Sequence, residues 1–239
     1  VDALTETWDR ATAVQPLPEP GVVLATGLVA LLMVLSSTTW RRVRLGVTVV
    51  HEAGHAVVAV LVGRRLQGIR LHADTSGLTV SSGRPTGPGM VATLLAGYLA
   101  PAVVGVGAAL VLASGRGVAL LWLMMLLLVG LLLWVRNWYG VLTLAGAGVG
   151  IGLLTWYAAP DVQAVVAYLV AWLLLLAAPR PVLELVTAGR RRSRSSDPDQ
   201  LARLTGVPAL VWCLLMLVAN LAGLLVGALT LAPDLLARA

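Results

Sequence analysis

His51-Glu52-Ala53-Gly54-His55 is the stretch of this chain whose residue types and spacing can do chemistry. On a helix, two histidines four residues apart lie on one face, one turn above the other. Both imidazoles can then hold one tetrahedral Zn²⁺, and Glu52, beside the first ligand, can accept a proton from water at the metal. Neutral imidazoles leave the metal's charge uncancelled, so the pKa of such a water can fall from ~15.7 to about 7. A bare match to this pattern also arises by chance; its position is what gives it weight. It lies inside Leu45–Gly63, whose other residues are almost all apolar. An ionisable residue at mid-membrane costs roughly 2.5–3.5 kcal/mol, so three together in one span call for a function.

The elements that must position this motif belong to a membrane. The chain has 239 residues, of which 59% are hydrophobic and 12% charged, with a mean hydropathy of +0.90. A soluble domain of this size could not bury so much apolar surface, so the chain reads as an integral membrane protein. All 17 basic residues are arginine and there is no phenylalanine, a bias that suits a GC-rich bacterial genome and hence a bacterial cell membrane. The net charge of +6 does not point to nucleic acid, because most arginines flank apolar runs, where lipid headgroups and orientation account for them. Cys213 is the single cysteine and lies in an apolar run, which excludes an internal disulfide.

Residues 1–20 are polar and end in Pro16, Pro18 and Pro20; they read as a surface segment ahead of a membrane-embedded domain over 21–239. The uncharged run Gly21–Trp40 is long enough to span. Arg41, Arg42 and Arg44 follow it, which is the reverse of a cleaved signal peptide, so a retained helix is expected. A second span covers Leu45–Gly63. Residues 67–83 then alternate, with Ile69 and Leu71 before and Leu78 and Val80 after an Asp74-Thr-Ser-Gly77 turn, and predict a β-hairpin. Runs at Pro85–Gly115, Gly117–Val135, Asn137–Pro160, Val162–Pro179 and Leu204–Pro233 bring the expectation to about seven spans. The fold class is therefore an all-α polytopic helical bundle with one small β-hairpin insertion. Pro101 is expected to kink the third span or to bound a re-entrant stretch. Gly146, Gly148, Gly150 and Gly152 do not form a dinucleotide fingerprint, since Ile151 stands where a third glycine is needed; Gly148 and Gly152 suit close helix packing instead.

A catalytic zinc takes a third protein ligand. His72, Asp74, Asp161, Glu184, Asp197 and Asp199 all remain open for that role; the N-terminal acids and Asp234 lie too far along the chain. The loop over 190–206 holds the basic cluster Arg190, Arg191, Arg192 and Arg194, followed by Asp197-Pro198, which reads as an N-cap and a first helical position. With a cytoplasmic N-terminus, Arg10, Arg136 and the arginines of 64–84 and 180–203 fall inside. Arg41, Arg42, Arg44, Arg116 and Arg238 fall outside, so the positive-inside rule favours that orientation.

The chain resembles the site-2 proteases, intramembrane zinc metalloproteases. The resemblance rests on the His-Glu-Ala-Gly-His string within a span, a β-hairpin directly after it, and an aspartate before a later span. The stretch Ser196-Asp197-Pro-Asp-Gln-Leu-Ala-Arg-Leu-Thr-Gly-Val-Pro208 is similar to the small bacterial branch, which carries a Ser-Asp pair and a Leu-Thr-Gly-x-Pro pattern in place of the Asp-Gly pair of other members. It implies that His51, His55 and Asp197 hold Zn²⁺ while Glu52 serves as general base and later protonates the leaving amine. Asp199 competes with Asp197 for the third position. From Pro198 to Leu231 one straight helix would run ~51 Å against a core of ~30 Å. A break near Gly206-Val-Pro208 would fold the earlier part back into the bundle.

The implied substrate is a transmembrane protein segment cut in or near the bilayer, in regulated proteolysis. Its unwound backbone would pair with an edge strand of the hairpin, with Leu78 and Val80 at the contact. Asn137, at a span end, could bond the substrate backbone or the oxyanion, or serve as an interfacial cap or helix–helix bond. No PDZ-like insert is visible, so selection falls to the bundle or a regulatory membrane partner. Two other classes compete. A transporter with a mid-membrane polar site would need polar residues in the other spans, which are nearly bare; a silent metal-retaining scaffold would have no use for Glu52.

Overall fold

Ser36 divides the first apolar stretch from the helix that carries the motif. In the computed structural model, which describes residues 2–188 and 195–233, α2 runs Pro20–Leu35 and α3 runs Ser37–Leu61. Ser36 is extended (φ −70°, ψ 124°) and its hydroxyl accepts from the Thr39 N–H, capping α3. The arginines at 41, 42 and 44 were expected between two spans. They lie instead in the first two turns of α3, because the cap starts that helix before them. Trp40 Nε1 donates to Glu184 Oε1 at 2.8 Å, Arg44 pairs with Glu184 at 3.1 Å, and Arg180 stacks over Trp40 at 4.3 Å. These contacts fasten the start of α3 to α8 (Pro179–Ala188).

The remaining elements are α1 (Asp2–Thr12), β1 (Arg65–Leu71), β2 (Gly77–Ser82), α4 (Pro88–Ala113), α5 (Gly117–Leu132), α6 (Trp138–Tyr157), α7 (Pro160–Ala177), α9 (Asp197–Thr205) and α10 (Ala209–Leu231). The chain is a multi-pass helical membrane protein. Five helical stretches are individually long and apolar enough to cross a membrane, with α7 and α8 together forming one of them. At 16 residues each, α2 and α5 reach ~24 Å, short of a ~30 Å hydrocarbon core. The N-terminal segment expected at the surface contains α1, and Gln15 ties it to the α4–α5 turn, its N–H donating to the Gly115 carbonyl at 2.7 Å. Pro101 is buried inside α4, which continues through it.

Packing concentrates on α3, α4, α7 and α10. One apolar cluster joins Val23, Leu112, Leu121, Ala171 and Leu175; a second, under the hairpin, joins Val49, Ala53, Ile69, Leu71 and Leu144. The close packing expected of Gly148 and Gly152 does not occur among the described residues. Space beside Gly148 is open, and Gly152 would meet only Met125, because α6 packs on α5 and β1 and leaves most of its surface free.

The hairpin forms where the alternation placed it, with β1 and β2 antiparallel and a bulge between Leu66 and Gly68. Its outer β1 edge is occupied. The Ile69 N–H donates to Trp134 O at 2.8 Å, and Arg136 N–H donates to Ile69 O at 2.9 Å. The Asn137 amide accepts from Leu71 N–H (3.1 Å) and donates to Leu71 O (2.6 Å). Since Ile69 and Leu71 spend both main-chain groups away from β2, their partners Thr79 and Gly77 must turn theirs towards the opposite, outer edge of β2. No described strand pairs with that edge.

Candidate metal centre

The motif works only if α3 and α4 lie nearly in contact. Gly54 permits this: a Cβ there would sit 2.7 Å from the Ala96 carbonyl oxygen, so the glycine between Glu52 and His55 serves packing. At the next residue of α4, a Cβ on Gly97 would collide with ring atoms of both His55 and His51. His55 is buried, and its Nδ1 lies 2.7 Å from the Thr93 carbonyl. A carbonyl can only accept, so Nδ1 carries the proton and Nε2 presents its lone pair. The His51 ring meets Tyr98 edge-on at 4.7 Å and His55 edge-on at 4.6 Å.

The third group arrives from α9. That helix starts at Ser196, whose N–H and hydroxyl both donate to Asp199 Oδ2. Asp197 was expected at the N-cap; the structure puts Ser196 there, leaving Asp197 as the first helical residue. The chain breaks where expected: Gly206 is left-handed (φ 75°), and α10 starts after Pro208. Freed from α10, α9 packs Leu201 against Leu94, Val182, Cys213 and Met216. Asp197 Oδ2 then lies 3.4 Å from His51 Nε2 and 3.2 Å from His55 Nε2. Arg190, Arg191, Arg192 and Arg194 of the preceding loop, and Arg238 and Asp234 at the far end, lie outside the described residues.

The donor set suits a tetrahedral ion. With bonds of ~2.0–2.1 Å, two ligands of a tetrahedral zinc stand about 3.3 Å apart. The two histidine Nε2 atoms are 3.0 Å apart, and the distances to Asp197 fall on either side of 3.3 Å. Among the described residues, His51, His55 and Asp197 are the group able to hold a metal. His72 and Asp74 belong to the hairpin turn instead. Asp74 accepts from Ser76 N–H at 2.9 Å and Ser76 Oγ at 2.6 Å, and these bonds hold its carboxyl below the usual range. Asp161 sits in the first turn of α7.

Glu52 is buried under β2, its Oε2 accepting from Thr79 Oγ1 at 2.6 Å. Leu78 and Val80 are exposed on the other face of that strand. Asn137, a candidate for substrate contact, has its side-chain amide engaged by Leu71 and positions β1 here. Thr79, Thr93 and Gly97 escape a reading based on ionisable residues alone. The adjacent small pair Ala96-Gly97 in an apolar run was the available signal for close approach. Gly97→Ala is expected to push both imidazoles aside and weaken zinc binding about 10–100-fold, the range seen when a ligand's supports are disturbed. Metal titration of the purified protein checks this; wild-type affinity would mean the rings have another resting place.

Two helix-borne imidazoles and an aspartate around one point, with a glutamate beside them in a helical membrane bundle, make up a membrane metalloprotease site. The Peptidase M50B-like family model matches residues 24–227, and the chain belongs to that family, within the site-2 proteases. No curated protein and no solved structure matches the chain.

Proposed function

We propose that this protein is a zinc endopeptidase that cuts a transmembrane protein substrate in or near its membrane segment, as a step of regulated proteolysis in a bacterial membrane. The observation that carries the reading is the triangle of His51, His55 and Asp197 beside a buried Glu52. A zinc ion held by these three would supply Lewis acidity next to the scissile carbonyl. Glu52 takes a proton from the attacking water onto its carboxylate and returns it to the leaving amine nitrogen. The imidazoles stay neutral ligands, His55 being fixed in its tautomer by Thr93.

A transmembrane helix must unwind before any of its carbonyls is accessible, and an unwound segment needs its main-chain groups paired. The outer edge of β2 offers the N–H and C=O of Gly77 and Thr79 for that pairing. Leu78 and Val80 turn their own main-chain groups towards β1, so they flank the substrate with side chains. Proline at either position would break the hairpin ladder itself. Choice among substrates falls to the bundle or to a membrane partner.

In liposomes, a chelator should abolish cleavage of a membrane-anchored substrate and zinc should restore it. A cysteine introduced at Leu78 should cross-link to every second residue of a cysteine-scanned substrate around the cut; Cys213 is buried and stays out of the reaction. Cross-links at a helical spacing of three to four residues would sink docking as a strand.

A further inference from the structure

β2 touches the general base directly. Thr79 Oγ1 stands 2.6 Å from Glu52 Oε2 and 3.1 Å from the Glu52 carbonyl oxygen. Its one proton goes to the closer and more basic carboxylate. At Gly77, a Cβ would lie 2.5 Å from Glu52 Oε1 and 2.8 Å from Cδ. The φ of Gly77 is not positive, so its lack of a side chain answers to the space Glu52 occupies. The hairpin turn is also pinned to α3, with Thr48 Oγ1 donating to the Thr75 carbonyl at 2.8 Å. On the far side, Asn137 and the 134–136 segment hold β1. The hairpin is thus anchored at its turn and along its β1 edge, and two residues of β2 meet one catalytic side chain.

We infer that Thr79 is a positioning residue for Glu52, and that Gly77 and Thr79 couple substrate docking to the aim of the general base. This rests on the protease reading above. The same two residues would pair with the substrate through their main-chain groups and hold Glu52 from their inner face. Register along β2 then fixes which substrate carbonyl lies beside the base. A carboxylate with free rotamers would sample several orientations; one hydroxyl bond and one missing methyl leave a single one.

Thr79→Val keeps the shape and the strand preference but cannot donate, while Thr79→Ser keeps the donor. The valine variant is expected to lower kcat about 10–100-fold with KM and zinc content unchanged, and the serine variant to stay within about threefold of wild type. Gly77→Ala should lower kcat in the same way. A purely structural role for Thr79 would instead raise KM, and serine, the weaker strand former, would do worse than valine. Wild-type kcat in Thr79→Val, or equal loss in both Thr79 variants, overturns the inference. Glu52→Gln is run alongside. If it cleaves at the wild-type rate, the protease mechanism itself has failed; if it is inactive and Thr79→Val is normal, only the positioning role has.

Discussion

Glu52→Gln should abolish nearly all cleavage of a membrane-anchored substrate while leaving zinc and fold in place. Glutamine has the same length and shape, and its amide oxygen can still accept from Thr79 Oγ1, now 2.6 Å from Glu52 Oε2. The buried site is therefore neither opened nor emptied. What disappears is the basicity needed to take a proton from water and deliver it to the amine, a contribution of about 10²–10⁴ in rate for a positioned general base. The loss should fall on kcat, since the substrate pairing proposed along β2 does not involve the carboxylate. Single-turnover cleavage in liposomes with a metal assay on the same sample separates the terms. A variant that binds zinc and cuts at the wild-type rate would remove Glu52 from the mechanism.

How far the sequence speaks differs between the site's two halves. The histidine motif is local: one helix brings His51 and His55 together, so their four-residue spacing carries the geometry. The hairpin was also legible, because alternation and a turn are local signals. Asp197 lies 142 residues after His55, and no local spacing ties the two: the Ser196-Asp197 resemblance named it, and the break at Gly206-Val-Pro208 gave it a way back into the bundle. Thr79 carries no signal in the sequence, because a threonine between two apolar residues is ordinary strand composition. Its meaning comes from the docking of β2 on α3, a tertiary fact. Helix boundaries failed where polarity misled. Arginines 41, 42 and 44 read as a loop between spans, but a serine cap five residues earlier starts the helix and Glu184 receives Arg44. The Gly148 and Gly152 spacing was a weak packing signal, with open space beside Gly148 and only Met125 of α5 beside Gly152, since spacing alone does not say which face of α6 meets another helix.

Asp197→Ala should lose stoichiometric zinc, and Asp199→Ala should not. The two carboxylates are two residues apart yet serve different groups. Asp197 Oδ2 lies between the imidazole nitrogens at 3.4 and 3.2 Å, within the spacing that one zinc imposes on its ligands. Asp199 Oδ2 is taken by the N–H and hydroxyl of Ser196, the cap that starts α9. Ser196 stays as the N-cap, so losing its Asp199 partner costs less than the roughly 0.5–2 kcal/mol of a lost cap, and Leu201, fully buried in its cluster, still holds α9 against α4 and α10. Asp199→Ala should therefore fray the first turn and weaken zinc binding only a few-fold. Asp197→Ala leaves two imidazoles, too few for a stable three-ligand catalytic site, and should behave like His55→Ala in metal content and cleavage. Asp197→Asn should also lose the metal, because an amide oxygen lacks the charge that draws a carboxylate to zinc. Zinc stoichiometry measured on all four proteins side by side decides the assignment. Loss confined to Asp199→Ala would transfer the ligand to Asp199, with α9 rotated about its axis on metal binding. Full zinc in both aspartate-to-alanine variants would place the third ligand elsewhere, with Asp161 at the start of α7 and His72 in the hairpin turn as the next residues to change.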